Sequence, residues 1–160
     1  MDKEKFLALA KTTYATLCSA LDENGWHYKK DEEKLTVQCG AQGEDLPIEL
    51  VIEVDADRQL VVLLSHLPVK VPEDKLMDVT VAISTVNNVL VHGCFDYNVR
   101  TGQIIYRMAN SFMDSLLGSE MFNYMIYAAC HVIDEYNDKL LMLSKGMISI
   151  EKFLETETKE

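Results

Sequence analysis

The side chains best suited to chemistry lie together in the segment His92-Gly93-Cys94-Phe95-Asp96. A cysteine becomes a nucleophile when a nearby imidazole lowers its pKa, and a carboxylate can orient that imidazole. A short-range pattern of this kind is weak without structural context. The more ordinary account puts His92 near the negative end of a helix dipole and Cys94 in the strand that follows. We favour that account, and keep as its rival a small enzyme or ligand sensor with a pocket near His92, Cys94 and Asp96. Asp55 and Asp57 offer oxygen ligands to a hard cation. Their spacing lacks the third acid and the glycine of a calcium loop, and a hairpin turn explains them better. Asp96 and Arg107 are spaced to form a cross-strand ion pair, which is a structural role.

Other routes to catalysis are missing from the chain. It contains no Gly-x-Gly-x-x-Gly, Gly-x4-Gly-Lys-Ser/Thr, Gly-x-Ser-x-Gly or His-Glu-x-x-His motif. Its seven glycines do not cluster into a phosphate-binding loop. Cys18, Cys39, Cys94 and Cys130 stand far apart, without the close ligand pairs of a structural zinc site. Counting alone leaves two disulfides open. Three of the four lie in apolar periodic segments, however, so four buried, reduced thiols in a cytoplasmic protein is the favoured account. We therefore expect no catalytic residue, no cofactor and no metal.

The elements that would position these residues can be read from periodicity. Phe6, Leu9, Ala10, Thr13, Leu17, Ala20 and Leu21 recur at helical spacing, which predicts a helix over 3–23 that stops at Asn24-Gly25. A short strand at 26–30 would follow. Leu35, Val37 and Cys39 alternate with polar residues, as do Ile48, Leu50, Ile52 and Val54. A turn at 55–58 then leads into a strand over 59–65, making an antiparallel hairpin. Pro68 to Pro72 is expected to end the sheet segment. Leu76, Val79, Ile83, Val86 and Leu90 step by three and four, predicting a helix from Pro72 to His92 with Gly93 as its stop. Its β-branched residues favour a strand, but its length excludes one. A second hairpin spans Phe95 to Met108 around Thr101-Gly102. A connector over 111–119 carries a helical turn at 114–117. The longest helix runs from Glu120 to Lys145 and is closed by Gly146. Ser149 caps a short final helix, and residues 155–160 are expected to fray.

The longest helix carries two apolar stripes. One is Phe122, Met125, Ile126, Ala129, Ile133, Tyr136 and Leu140; the other is Met121, Tyr124, Ala128 and Val132. Together they exceed the roughly 100° that one core contact requires. Either a second chain or ligand peptide covers the second stripe, or the final helix covers it with Ile150, Phe153 and Leu154. The sequence does not choose between these.

Composition sets the outer bounds. The chain has 160 residues, 48% hydrophobic and 26% charged, which suits one globular domain over 1–160. Its net charge of −11 opposes nucleic-acid binding and association with anionic membranes. No apolar run approaches the ~20 residues of a membrane span. The mixed charges of Met-Asp-Lys-Glu-Lys predict no secretory signal, and the expected location is the cytoplasm. The expected fold is α+β: an antiparallel sheet of about five strands with helices packed on one face, in the order α-β-β-β-α-β-β-α-α.

The stretch from Asn87 through Val91-His92-Gly93-Cys94-Phe95-Asp96 into Thr101-Gly102-Gln103-Ile104-Ile105-Tyr106-Arg107 resembles the YbjN-like bacterial family. So do Trp26 after the first helix, Leu46-Pro47-Ile48 opening a strand and Val71-Pro72-Glu73 opening a helix. The resemblance covers nearly the whole chain. It implies a fold similar to the type III secretion chaperones, which are small, acidic, dimeric and non-enzymatic. By that analogy the helix from Pro72 to His92 is a dimer element, with Met77, Val81, Asn88 and Val91 on its outer side. The expectation is a non-enzymatic protein-binding protein, chaperone-like or a regulatory adaptor, that pairs with another protein or with itself as a homodimer.

Overall fold

Alternating apolar residues in the first half of the chain build most of one antiparallel sheet. The computed structural model describes residues 3–157. Its elements are α1 (Lys3–Glu23), β1 (Tyr28–Asp31), β2 (Thr36–Gln42), β3 (Pro47–Asp55), β4 (Leu60–Lys70), α2 (Leu76–Val89), β5 (Cys94–Asn98), β6 (Gln103–Ser111), α3 (Ser119–Ser144) and α4 (Ile150–Glu157). A 3₁₀ turn over Glu73–Lys75 leads into α2. The six strands lie in the order β1-β2-β3-β4-β6-β5, with every neighbouring pair antiparallel. The expected count of about five becomes six because Tyr28–Asp31 pairs with Thr36–Cys39 as an edge strand.

Side-chain alternation divides the sheet into two faces. One face presents Val37, Cys39, Ile48, Leu50, Ile52, Val54, Val61, Leu63, Ile104 and Tyr106, all buried. They join a hydrophobic cluster with the apolar sides of all four helices. The largest fully buried side chains include Tyr106, Phe95, Phe112, Phe122 and Phe153. Each is worth roughly 1.5–3 kcal/mol of transfer energy, so these aromatics are a main source of cohesion. Helix α1 lies over β2 and β3, where the Tyr14 hydroxyl donates to the Thr36 carbonyl at 3.2 Å. Helix α3 crosses the middle strands, and α2 lies beside the edge strand β5.

Two predicted boundaries move. β4 continues to Lys70 instead of ending near Ser65. Pro68 is tolerated there because the β3 pairing stops at Leu64, and the ladder with β6 shifts register between His66 and Lys70. A proline without an N–H fits such a half-paired, irregular stretch. Helix α2 ends at Val89, with Leu90 extended, and Gly93 serves a different purpose. At φ +72° it packs directly against the Tyr106 ring, where a Cβ would collide. The Tyr106 hydroxyl donates to the His92 carbonyl at 3.1 Å.

Two smaller expectations also change. The 111–119 connector forms a turn at Met113-Asp114, with Asp114 at φ +48°, and not a helical turn over 114–117. Helix α4 begins as expected, with the Ser149 hydroxyl accepting from Lys152 N–H at 3.2 Å. It then runs on to Glu157, held by a 3.0 Å ion pair to Lys139. The remaining residues expected to fray, 158–160, lie outside the described residues.

Candidate protein-binding surfaces

His92 lies in a bend before β5, and Gly93, at φ +72°, turns the chain between it and Cys94. Cys94 lies on the sheet face away from the helices, in register with Arg107. Its thiol is 3.7 Å from Asp96 Oδ1 and 3.8 Å from Arg107 Nη2. His92 instead sets its ring edge-on to Tyr124 of α3, with centroids 5.4 Å apart, on the helix side. The two residues therefore do not form a nucleophile–base pair. Burial, then the Asp96 carboxylate, pushes the Cys94 thiol up, and Arg107 only partly offsets them. A raised thiol is the reverse of what a nucleophile needs. Nor does His92 sit on the helix end that the dipole argument assumed, because α2 stops three residues earlier.

Arg107 Nε meets Asp96 Oδ2 at 2.6 Å, forming the expected cross-strand pair and holding the Asp96 carboxyl below its ordinary value. Asp55 organises its turn: it accepts from Arg58 N–H at 2.8 Å and pairs with Arg58 Nε at 2.6 Å. Among the described residues, no group of three or more His, Cys, Asp or Glu is arranged to hold a metal ion. All four cysteines are unpaired, but against the expectation of four buried thiols only Cys39 is buried and Cys18, Cys94 and Cys130 are half-buried; burial raises Cys39 and Cys130 to about 11. Among the described residues, no helix is long and apolar enough to cross a membrane.

The surfaces say more. On α2 the core side is Val79, Ala82, Ile83 and Val86. The opposite side leaves Met77 68% exposed and Val81 42% exposed, with Asn88 also open to solvent. Val91 lies past the helix end in a bend and is 86% exposed, so it extends this patch from outside the helix. Val89, 56% exposed, belongs to the same region and was not singled out from the sequence. The helix carries one charge, Asp78, which lies 3.8 Å from Lys75. Thr80 and Thr85 donate back to the carbonyls of Leu76 and Val81, so their hydroxyl donors are already used.

The second stripe of α3 is split. Ala128 and Val132 pack partly against the core, whereas Met121 and Tyr124 stay exposed, Tyr124 beside His92. Helix α4 reaches the C-terminal half of α3 through the Lys139–Glu157 pair and does not cover Met121 and Tyr124.

The sheet face away from the helices holds a third apolar region. Val51, Leu60, Val62, Leu64 and Ile105 lie there, half-buried by one another and outside the core cluster. The signal for it is the unbroken run Leu60-Val61-Val62-Leu63-Leu64, which is apolar on both faces of β4. Such runs belong to strands covered on both sides.

No protein-family model matches the chain, and no curated protein matches it. Its fold is similar to that of several solved structures. One is YbjN from E. coli, with a TM-score of 0.57 and 13% identity, covering 80% of this chain and 93% of that one. Another is the HopA1–SchA chaperone–effector complex, with a TM-score of 0.52 and 10% identity, covering 78% of this chain and 91% of that one. The chain therefore has a YbjN-like α+β fold, similar to that of the type III secretion chaperones.

Proposed function

We propose that this chain is a non-enzymatic protein-binding protein of the cytoplasm, a chaperone-like or regulatory adaptor, that works as a homodimer joined through α2. The observation that carries the reading is the outer side of that helix. Met77, Val81, Val89 and Val91 are exposed, and the helix has a single charge. Exposed apolar side chains clustered on one surface mark interaction sites. A chain of net charge −11 repels its own copy over most of its surface. An uncharged apolar strip is where two copies can approach without bringing like charges together. Similarity to a chaperone in a chaperone–effector complex, and to a candidate transcription regulator, supports a binding role. The raised Cys94 thiol and its separation from His92 weigh against the catalytic rival.

Solution mass tests this directly. Light scattering at micromolar concentration should give about twice the 18.2 kDa chain mass. Val81→Asp, which places a carboxylate in the strip, should return the mass to that of one chain with an unchanged circular dichroism spectrum. A wild-type protein that stays monomeric across concentrations removes the homodimer.

A further inference from the structure

We propose that the sheet face opposite the helices is a docking site for an amphipathic helix of a partner protein, apolar on one side and flanked by lysine or arginine. This rests on the protein-binding reading above but uses a different surface from the α2 strip.

The footprint comes first. Leu60, Val62 and Leu64 follow one another on the same side of β4. Val51 is in register with Leu64 on the β3 side, and Ile105 is in register with His66 on the β6 side. The stripe is thus about 14 Å long on β4 at ~3.4 Å per residue and widens to about 10 Å only at its Leu64 end, because Glu53 and Asp55 lie opposite Val62 and Leu60 on β3. An α-helix with its side chains is roughly 10–12 Å across and rises 1.5 Å per residue, so nine or ten residues match the stripe. The opposite face of this sheet is itself covered by helices.

The stripe also runs into a hollow. Val51 borders a groove of about 510 Å³ framed by His27, Lys29, Gln38, Gly40 and Glu49. The groove exists because Gly40 places no side chain between Gln38 and Glu49; a Cβ there would lie 3.1 Å from the Ile48 carbonyl oxygen. One large apolar side chain from the occupant can enter it.

Charge then selects the partner. Arg58 and Arg107, beside the stripe, are paired with Asp55 and Asp96, and Lys29, in line with Val51 across Gln38, is the cation at the groove. Glu49 and Glu53 flank Val51 on β3, and neither closes an ion pair. The stripe's β3 margin is therefore acidic, on a chain of net charge −11. A second copy would meet like charge there, whereas a basic amphipathic helix meets opposite charge, which favours encounter and orientation. The uncharged α2 strip suits self-association, and this acidic-rimmed stripe suits a basic partner.

The probe is a fluorescein-labelled peptide of fourteen residues with leucine at helical a and d spacing and lysine elsewhere. Fluorescence anisotropy with the intact chain should show saturable binding, weakened about tenfold by Leu64→Thr and again by Val62→Thr, the loss expected for removing a buried aliphatic contact. Threonine keeps the strand preference, and an unchanged thermal melt confirms the fold. Glu49→Gln with Glu53→Gln should weaken binding severalfold and reduce its salt dependence. The same peptide with glutamate for lysine should not bind. Equal binding by wild type and Leu64→Thr would show only non-specific attraction to an acidic protein, and would overturn the proposal. So would a change in oligomeric mass on Leu64→Thr, which makes the face a self-contact. Val81→Asp should abolish the dimer and leave peptide binding intact. Failure of the dimer with retained peptide binding therefore removes the α2 reading alone, and the converse removes this one alone.

Discussion

Asn87 offers a sharp test of how the second half of the fold is held. Its side-chain amide faces the backbone of Phe95: Nδ2 donates to the Phe95 carbonyl at 2.9 Å, and Oδ1 accepts from Phe95 N–H at 2.8 Å. β5 is the last strand of the sheet, so one row of its peptide groups has no strand partner. The Asn87 amide imitates one peptide unit of a missing strand and ties β5 to α2. Phe95 is only 2% exposed, so water cannot replace the lost partner easily. In Asn87→Ala both peptide groups lose their bonds, at about 1–3 kcal/mol for each buried unsatisfied group. Taking about 3 kcal/mol in all, and about 2–4 °C per kcal/mol for a chain of this size, the melting temperature should fall by roughly 6–12 °C. Thermal circular dichroism measures the fall, and hydrogen exchange should show the Phe95 amide losing protection. Asn87→Asp adds a signature. At neutral pH its carboxylate still accepts from Phe95 N–H but opposes the carbonyl. When protonated it donates again, so its deficit relative to wild type should shrink as the pH falls toward about 4. A drop below about 2 °C in Asn87→Ala, with Phe95 still protected, refutes the reasoning.

Two further outcomes follow from ionisable groups. Burial pushes Tyr14, Tyr106 and Tyr136 up to about 12 from the model-compound value of 10.0, so the folded state favours the neutral phenols. That stability is fully present below pH 10 and is lost as the pH rises toward 12; melting temperatures should fall over that interval, and a residue-resolved titration showing Tyr14, Tyr106 or Tyr136 as phenolate in the still-folded chain near pH 10 would contradict it. Burial likewise raises Cys39 and Cys130 to about 11, and Cys94 is shifted in the same direction. At pH 8 all three should react with a disulfide reagent more slowly than free cysteine does, and a fast Cys94 would reopen the catalytic reading.

The parts of the fold that were legible in the sequence are those where one periodicity dominates. The α2 face is one case: Val79, Ile83 and Val86 at helical spacing fix the inner side, which places Met77, Val81 and Asn88 outside. Val91 was placed on the helix because the same apolar spacing continues past the real helix end at Val89. The apolar half of the open sheet face was hidden for a different reason. On β3, Val51 lies between Glu49 and Glu53 and reads as one apolar residue on a wet face. Its significance comes from Leu64 in register across the strand boundary, thirteen positions later, which only pairing reveals. The run Leu60–Leu64 announces a strand with two apolar faces, but not whether its second cover comes from the same chain. Asn87 was equally silent. A polar residue on a helix is ordinary until the neighbouring strand edge is seen to end beside it.

The Asn87 clasp also bears on how far this protein can assemble. A sheet with two open rims is a monomer for unlimited polymerisation, since each added strand presents a new rim. Here the Phe95 peptide unit of the β5 rim is occupied by the Asn87 side-chain amide, so a strand adding at that rim must first displace it. A union of two chains through their β1 rims would leave the two Asn87-clasped β5 rims as the outer edges. Each further addition would cost the two Asn87–Phe95 bonds, which biases strand pairing toward a pair over a fibril.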